Sequence, residues 1–145
     1  MDVLTTTQAA RVAGIDECNA RVLVPRLVAA LDSAAPSVED RELWSAGEVI
    51  AIAVVRALDP HGVHVERWAD GATAVADAHG RGLCPAYLVT AGGAAFGILL
   101  DDDGADVAAA RLLMRLAGSG RVARVVAVTP IVELLCDVLG LRASA

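Results

Sequence analysis

Hydrophobic and polar residues follow two different patterns along the 145-residue chain. Up to about residue 80, apolar residues recur at steps of three and four, which is the spacing of one face of an α-helix. Beyond residue 85, short continuous apolar runs appear, and these are typical of buried strands. The pattern therefore predicts an α+β protein with a helical first part, residues 1–80, and a small α+β second part, residues 85–145.

The first predicted helix has signals at both of its ends. Thr5 and Gln8 have the spacing of a capping box, in which each side chain bonds to the backbone N–H of the other residue. The helix should span Thr6–Ala13 and end at Gly14, where glycine adopts a positive φ at little cost.

The second predicted helix is interrupted by a proline. Asp16 is a candidate cap for a segment that runs from Glu17 to Val24. Pro25 lacks a backbone donor and disfavours helical geometry in the residue before it, so we predict a break there. A further helical piece should continue to about Leu31.

A loop over Asp32–Ser37 and a short hairpin wing over Val38–Leu43 should follow. Ser45 and Glu48 then form a second capping box for a third helix, whose segment Val49–Val55 is apolar on nearly every side and should be central to the core.

A fourth helix is predicted from Val65 to the glycines at 80–82, and Trp68 lies on its apolar face as a core or interface residue. A short helix, a turn, a second helix, a wing and two more helices together predict a winged helix-turn-helix domain.

The second part should contain two strands around a Gly92-Gly93 turn, a helix, a third strand and a final helix that Pro130 opens. The predicted bounds are 86–90, 95–100, 105–117, 122–128 and 131–139. This strand-strand-helix-strand-helix unit is a candidate dimerisation or regulatory region.

Composition limits the classes of function. The formal net charge of −6 argues against a protein that coats nucleic acid without sequence preference, because such proteins bind by neutralising phosphates. It is compatible with a protein that reads DNA through one local basic face. Cys18, Cys84 and Cys136 lack a C-x-x-C spacing, so we expect a reduced cytoplasmic protein whose cysteines are small buried side chains. The start of the chain does not resemble a secretion signal, and its longest apolar run, Val49–Val55, is far short of the roughly 20 residues of a membrane span.

Enzyme motifs are not found. The three histidines lack metal-ligand spacing, and Asp101–Asp103 does not fit the calcium-loop pattern. The Gly92-Gly93 pair does not match a dinucleotide fingerprint. We therefore predict no enzyme, no catalytic residue, no metal and no cofactor.

The segment Thr5–Ile15 resembles the opening of the MerR-type winged-helix transcription regulators. Leu43-Trp44-Ser45 and the helix after it are similar to the wing exit and third helix of that family. The resemblance covers about the first 70 residues. It implies sequence-specific binding to double-stranded DNA by a homodimer, because one short reading helix covers only a half-site.

The resemblance also implies the residues that touch DNA. The second helix would enter the major groove, where asparagine favours adenine and arginine favours guanine. Backbone N–H groups at the start of the first helix could hold a phosphate, and the wing would contact the DNA backbone. The implied DNA-binding residues are Thr7, Gln8, Asn19, Arg21, Arg26, Arg41 and Trp44.

The chain departs from the family pattern in ways that leave alternatives open. Glu42 stands two positions before the wing aromatic, where the family has an arginine, and Pro25 interrupts the reading region. Acidic residues also outnumber basic ones up to Trp68. One alternative is a winged-helix module that binds a protein partner and has lost DNA binding. Another is a small-ligand sensor in the second part.

Overall fold

The computed structural model describes residues 3–31, 41–61 and 64–140. They form a mixed α+β structure of six α-helices and two small sheets, so the predicted α+β class is confirmed. In chain order the elements are β1 (Val3–Thr5), α1 (Thr6–Ala13), α2 (Ala20–Leu31), β2 (Leu43–Ser45), α3 (Ala46–Leu58), α4 (Val65–Gly80), β3 (Pro85–Thr90), β4 (Phe96–Leu100), α5 (Ala105–Gly118), β5 (Arg124–Ala127) and α6 (Thr129–Leu139).

Both predicted capping boxes are present. The backbone N–H of Gln8 donates to Thr5 Oγ1 at 3.2 Å, and Gln8 Oε1 accepts from the Thr5 N–H at 2.9 Å. Ser45 and Glu48 make the equivalent pair of bonds at the start of α3. α1 ends at Gly14, whose φ of 70° is readily adopted only by glycine. The boundaries of α1 are therefore those that the sequence predicts.

The predicted break at Pro25 is wrong. α2 is continuous from Ala20 to Leu31, and a separate 3-10 helix occupies Glu17–Asn19. Asp16 makes no capping bond through its side chain. Pro25 removes one backbone bond to the carbonyl of Arg21. Burial of the apolar residues around it, Val24, Leu27 and Val28, compensates.

The first sheet joins two distant parts of the chain. β1 pairs antiparallel with β2, so that Leu4 lies opposite Trp44. Both side chains are fully buried. β1 is not among the elements that the sequence pattern predicts. The predicted loop, residues 32–37, and the first half of the predicted wing, residues 38–40, lie outside the described residues. Leu43, at the end of the predicted wing, pairs with Thr5.

The second sheet has the order β4-β3-β5, with antiparallel pairing throughout. The predicted hairpin around Gly92-Gly93 is confirmed, and β5 is shorter than its predicted range. A Cβ added to Gly97 would meet Leu112 of α5 at 2.5 Å, so glycine lets this helix approach β4 closely. Because side chains fill this space, we do not propose a ligand sensor between the sheet and α5.

Tyr87 of β3 provides a test of this contact between α5 and the sheet. Its hydroxyl donates to the carboxylate of Asp106, and this hydrogen bond, with the nearby negative charge, raises the pKa of Tyr87. The bond stabilises the fold below the ordinary tyrosine pKa, and this stabilisation is lost as pH rises through the raised pKa.

Tyr87 is the only tyrosine of the chain, so the absorbance of the phenolate reports the titration of this residue alone. We expect Asp106→Asn to lower the titration midpoint towards 10.0, whereas Asp103→Asn should leave it in place.

The buried core extends across both parts of the chain. One cluster contains the apolar segment of α3 together with Trp68, Leu88 of β3 and Leu135 of α6. Trp68 is thus a core residue, as predicted. The division into residues 1–80 and 85–145 remains a prediction, but the side chains of the two parts pack into the same core.

Candidate nucleic-acid interface

A groove of about 1000 Å³ lies between the start of α1, the start of α2 and the segment 41–43. We call it the α1–α2 groove. Three of the seven predicted DNA-binding residues line it, namely Thr7, Arg21 and Arg41. Two acidic residues, Glu17 and Glu42, line it as well. The fold therefore brings together part of the predicted site from positions that lie more than 30 residues apart.

The start of α1 contributes one backbone donor to this groove. Thr7 is exposed and is the second residue of the helix, where the N–H group has no acceptor within the helix. Gln8 differs, because its N–H donates to Thr5 and its side chain completes the capping box. Its predicted role in holding a phosphate through that N–H is corrected accordingly. Gln8 shapes the helix start, and Thr7 remains the candidate donor.

Arg41 is held by several contacts within the protein. Its guanidinium forms an ion pair with Glu48, and its Nε donates to the Leu43 carbonyl at 3.0 Å. The same group lies over the Trp44 ring, 4.8 Å from its centre. Glu48 also accepts the N–H of Ser45, so Arg41 connects the β2 segment to the start of α3. Much of its charge is already compensated on this surface.

Trp44 is a core residue. Its side chain is 0% exposed, and its indole Nε1–H donates to Thr6 Oγ1 at 2.9 Å. A side chain without accessible surface has no atom that a DNA strand could reach, so its predicted contact with DNA is corrected. Its position has a different consequence for the site. By bonding to Thr6, Trp44 fixes the start of α1 next to β2, and so positions one wall of the α1–α2 groove.

The remaining predicted residues lie on the outer surface of the second helical segment. Asn19 is exposed at the end of the 3-10 helix. Arg21 and Arg26 are both exposed on α2, but five residues rotate the helix by about 140°, so they project on different sides. Arg21 lines the α1–α2 groove, whereas Arg26 is not among the residues that line it.

Glu17 and Cys18 are among the groove residues that were not assigned to the site from the sequence. Glu17 lies four positions before Arg21, and this spacing indicates that they share a helical side. Cys18 also lines the groove. The expectation that the cysteines are buried is wrong for Cys18 and Cys84, which are exposed, while Cys136 is half-buried. The exposure of Cys18 could not be predicted from side-chain periodicity, because the 3-10 helix at 17–19 is only one turn long.

Across residues 3–31, 41–61 and 64–140, no three histidine, cysteine or acidic side chains group in a way that could hold a metal ion. No helix in those ranges combines the length and apolarity needed to cross a membrane. Comparison of the chain with protein-family models, curated proteins and solved structures finds no match.

Proposed function

We propose that the chain is a sequence-specific DNA-binding transcriptional regulator that acts as a homodimer. The observation that carries this proposal is the α1–α2 groove, where the exposed start of α1 and Arg21 of α2 lie together on one surface. A helix start attracts phosphate oxygens through its free N–H groups and the positive end of its dipole. An arginine beside it can reach a base edge or a second phosphate.

The roles of the individual residues follow from their positions. The N–H of Thr7 holds a backbone phosphate, and this contact fixes the register of the protein on the duplex. Arg21 reads or anchors DNA from the first turn of α2, and Asn19 extends the surface just before it. Arg26 projects on a different side of α2 and has no part in this contact. Arg41 is held by Glu48 and Trp44. It thereby fixes segment 41–43, which lines the groove together with Arg21. One such surface covers a half-site, so two copies are needed for a specific operator.

The test is selection from a random double-stranded DNA library at low salt, followed by anisotropy titration of the enriched sequence. We expect Arg21→Ala to weaken binding by about 1–3 kcal/mol, the usual effect of losing one base-contacting arginine. Arg81→Ala is the matched control, because Arg81 is an exposed arginine that lines a different groove. It removes the same charge and should change affinity much less. Affinity should also fall steeply as salt increases.

Two outcomes would reject the proposal. The first is that no sequence is enriched at low salt. The second is that Arg21→Ala and Arg81→Ala weaken binding equally, since this would show that charge alone, and not the α1–α2 groove, attracts the DNA.

A second candidate function is a winged-helix module that binds a protein partner. Glu17 and Glu42 line the α1–α2 groove, and Arg41 is already paired with Glu48, so the groove has little net positive charge. Such a surface suits a basic peptide segment. Glu17→Gln distinguishes the two functions, because it removes a repulsive charge from a DNA surface but an attractive one from a basic-peptide surface. If Glu17→Gln binds DNA more tightly than the parent chain, DNA binding is favoured. If the variant no longer captures a protein that the parent chain captures from the native host, the protein-binding module is favoured.

A further inference from the structure

One face of α5 is apolar and has no partner among the described residues. Ala105 and Ala109 are buried on the side of the helix that packs against the sheet. On the opposite side, Met114 is 73% exposed and Val107 is 57% exposed. Met114 is the most exposed large apolar side chain that the structure describes. Exposed apolar surface of this kind commonly marks an interaction site.

The exposed apolar residues follow a regular spacing. We define the α5 stripe as Val107, Ala110, Met114 and Ala117, all exposed. They are separated by steps of three, four and three, which is the spacing of the seam between two packed helices. The two alanines are small, so they allow another helix to approach closely. The stripe therefore has the form of a helix-packing surface.

The charges around the stripe indicate which occupant it accepts. The start of α5 is acidic, with Asp103 in the preceding turn and Asp106 in the first turn, whereas Arg111 lies at its middle and Arg115 in its last turn. A parallel copy of α5 would bring like charges to the same level. An antiparallel copy brings the acidic start of each helix beside Arg115 in the last turn of the other. The helix thus complements itself in the antiparallel direction.

We propose that the α5 stripe is the surface through which two copies of this chain associate, with the two α5 helices antiparallel about a twofold axis. With the axis near Ala110, Val107 of one copy packs against the partner's Met114, and Asp103 and Asp106 approach the level of the partner's Arg115. Arg111 flanks the crossing point, and its long side chain extends to solvent. A twofold axis makes every such contact twice, as in most homodimers. This deepens the proposed function, because it supplies the dimer that reading two half-sites requires.

The test is sedimentation equilibrium of the full chain without DNA. We expect a dimer, and Met114→Asp should raise its dissociation constant by about 100-fold, because a carboxylate would lose its water in an apolar interface. Val22→Asp is the matched control, because Val22 is also helical and 66% exposed but lies on α2. It should leave the dimer intact. A monomeric parent chain, or equal effects of the two variants, would overturn the proposal.

A charge exchange tests the antiparallel direction. Arg115→Asp should weaken the dimer, and adding Asp103→Arg should restore part of the loss, since an opposite charge again lies within one turn of position 115 of the partner. Further weakening by the second change would overturn the antiparallel arrangement. These measurements need no DNA, so they are separate from the proposed function. A monomer that still selects a DNA sequence would reject this interface and leave the DNA-binding proposal standing.

Discussion

Trp44→Ala is expected to destabilise the protein by about 3–5 kcal/mol, the usual cost of truncating a large buried aromatic side chain. Trp44 is fully buried, and Leu4 of the neighbouring strand lies directly opposite it. The substitution removes this packing and the donor that bonds to Thr6 Oγ1. The free energy of unfolding, measured by urea titration of the circular dichroism signal, reports the loss.

The same substitution should also weaken DNA binding, although Trp44 itself has no exposed surface. Thr5, Thr6 and Thr7 at the start of α1 all line the α1–α2 groove, and Trp44 holds Thr6. Trp44 also provides the ring over which Arg41 lies. Without the indole, Thr6 loses its hydrogen bond and Arg41 loses the ring on which it lies, so both walls of the groove are held less firmly. Affinity should therefore fall even at temperatures where the variant is still folded.

Trp44→Phe separates packing from hydrogen bonding. Phenylalanine retains an aromatic ring for Leu4 and Arg41 but has no N–H for Thr6, so the loss should be smaller than for alanine. It includes roughly 1 kcal/mol for the hydrogen bond, in addition to the smaller volume of the ring. If Trp44→Ala left stability unchanged, the buried position of the side chain would be contradicted. If Trp44→Ala lowered stability but left the DNA affinity of the folded protein unchanged, the claim that Trp44 supports the α1–α2 groove would be rejected.

The features that could be predicted from sequence are those set by neighbouring residues. Each capping box needs two side chains three positions apart, and the Gly92-Gly93 turn needs only its own glycines. The predicted positions of α1, α3 and the hairpin follow from such local chemistry. The prediction that Gln8 holds a phosphate overlooked that the predicted cap uses the same backbone N–H. The capping box consumes the N–H that the phosphate would need.

Contacts between distant residues account for what sequence analysis missed. The pairing of Leu4 with Trp44 spans about 40 residues, and nothing in the three-residue segment β1 signals it. Pro25 is a strong local signal for a break, but burial of α2 against the core outweighs the lost backbone bond. Trp44 was assigned to DNA because it resembles the wing aromatic of the MerR-type regulators. Its burial depends on β1 and α1, which no local pattern around it contains.

The second large effect is expected at the other end of the chain, where Leu135→Ala should cost about 2–5 kcal/mol. Leu135 is 1% exposed, and α6 packs against α1 and α3 of the first part. A further connection lies near β5, where the Arg124 guanidinium donates to the Leu58 carbonyl at 3.0 Å and lies near the ring of Trp68. If the two parts share one core, removing side-chain volume from α6 must also destabilise the helices before residue 80.

Tryptophan fluorescence can test this directly, because Trp44 and Trp68 are the two tryptophans of the chain and both lie before residue 80. We expect Leu135→Ala to shift the urea midpoint of the fluorescence transition and that of circular dichroism together. Glu133→Ala on the same helix is the control, because Glu133 is exposed and its removal should change stability by no more than about 0.5 kcal/mol. Two independent domains would give a different result, in which Leu135→Ala moves part of the circular dichroism transition and leaves the tryptophan midpoint in place. That result would show that the α1–α2 groove folds without the second part, whereas a joint shift means that the groove depends on α6 for its stability.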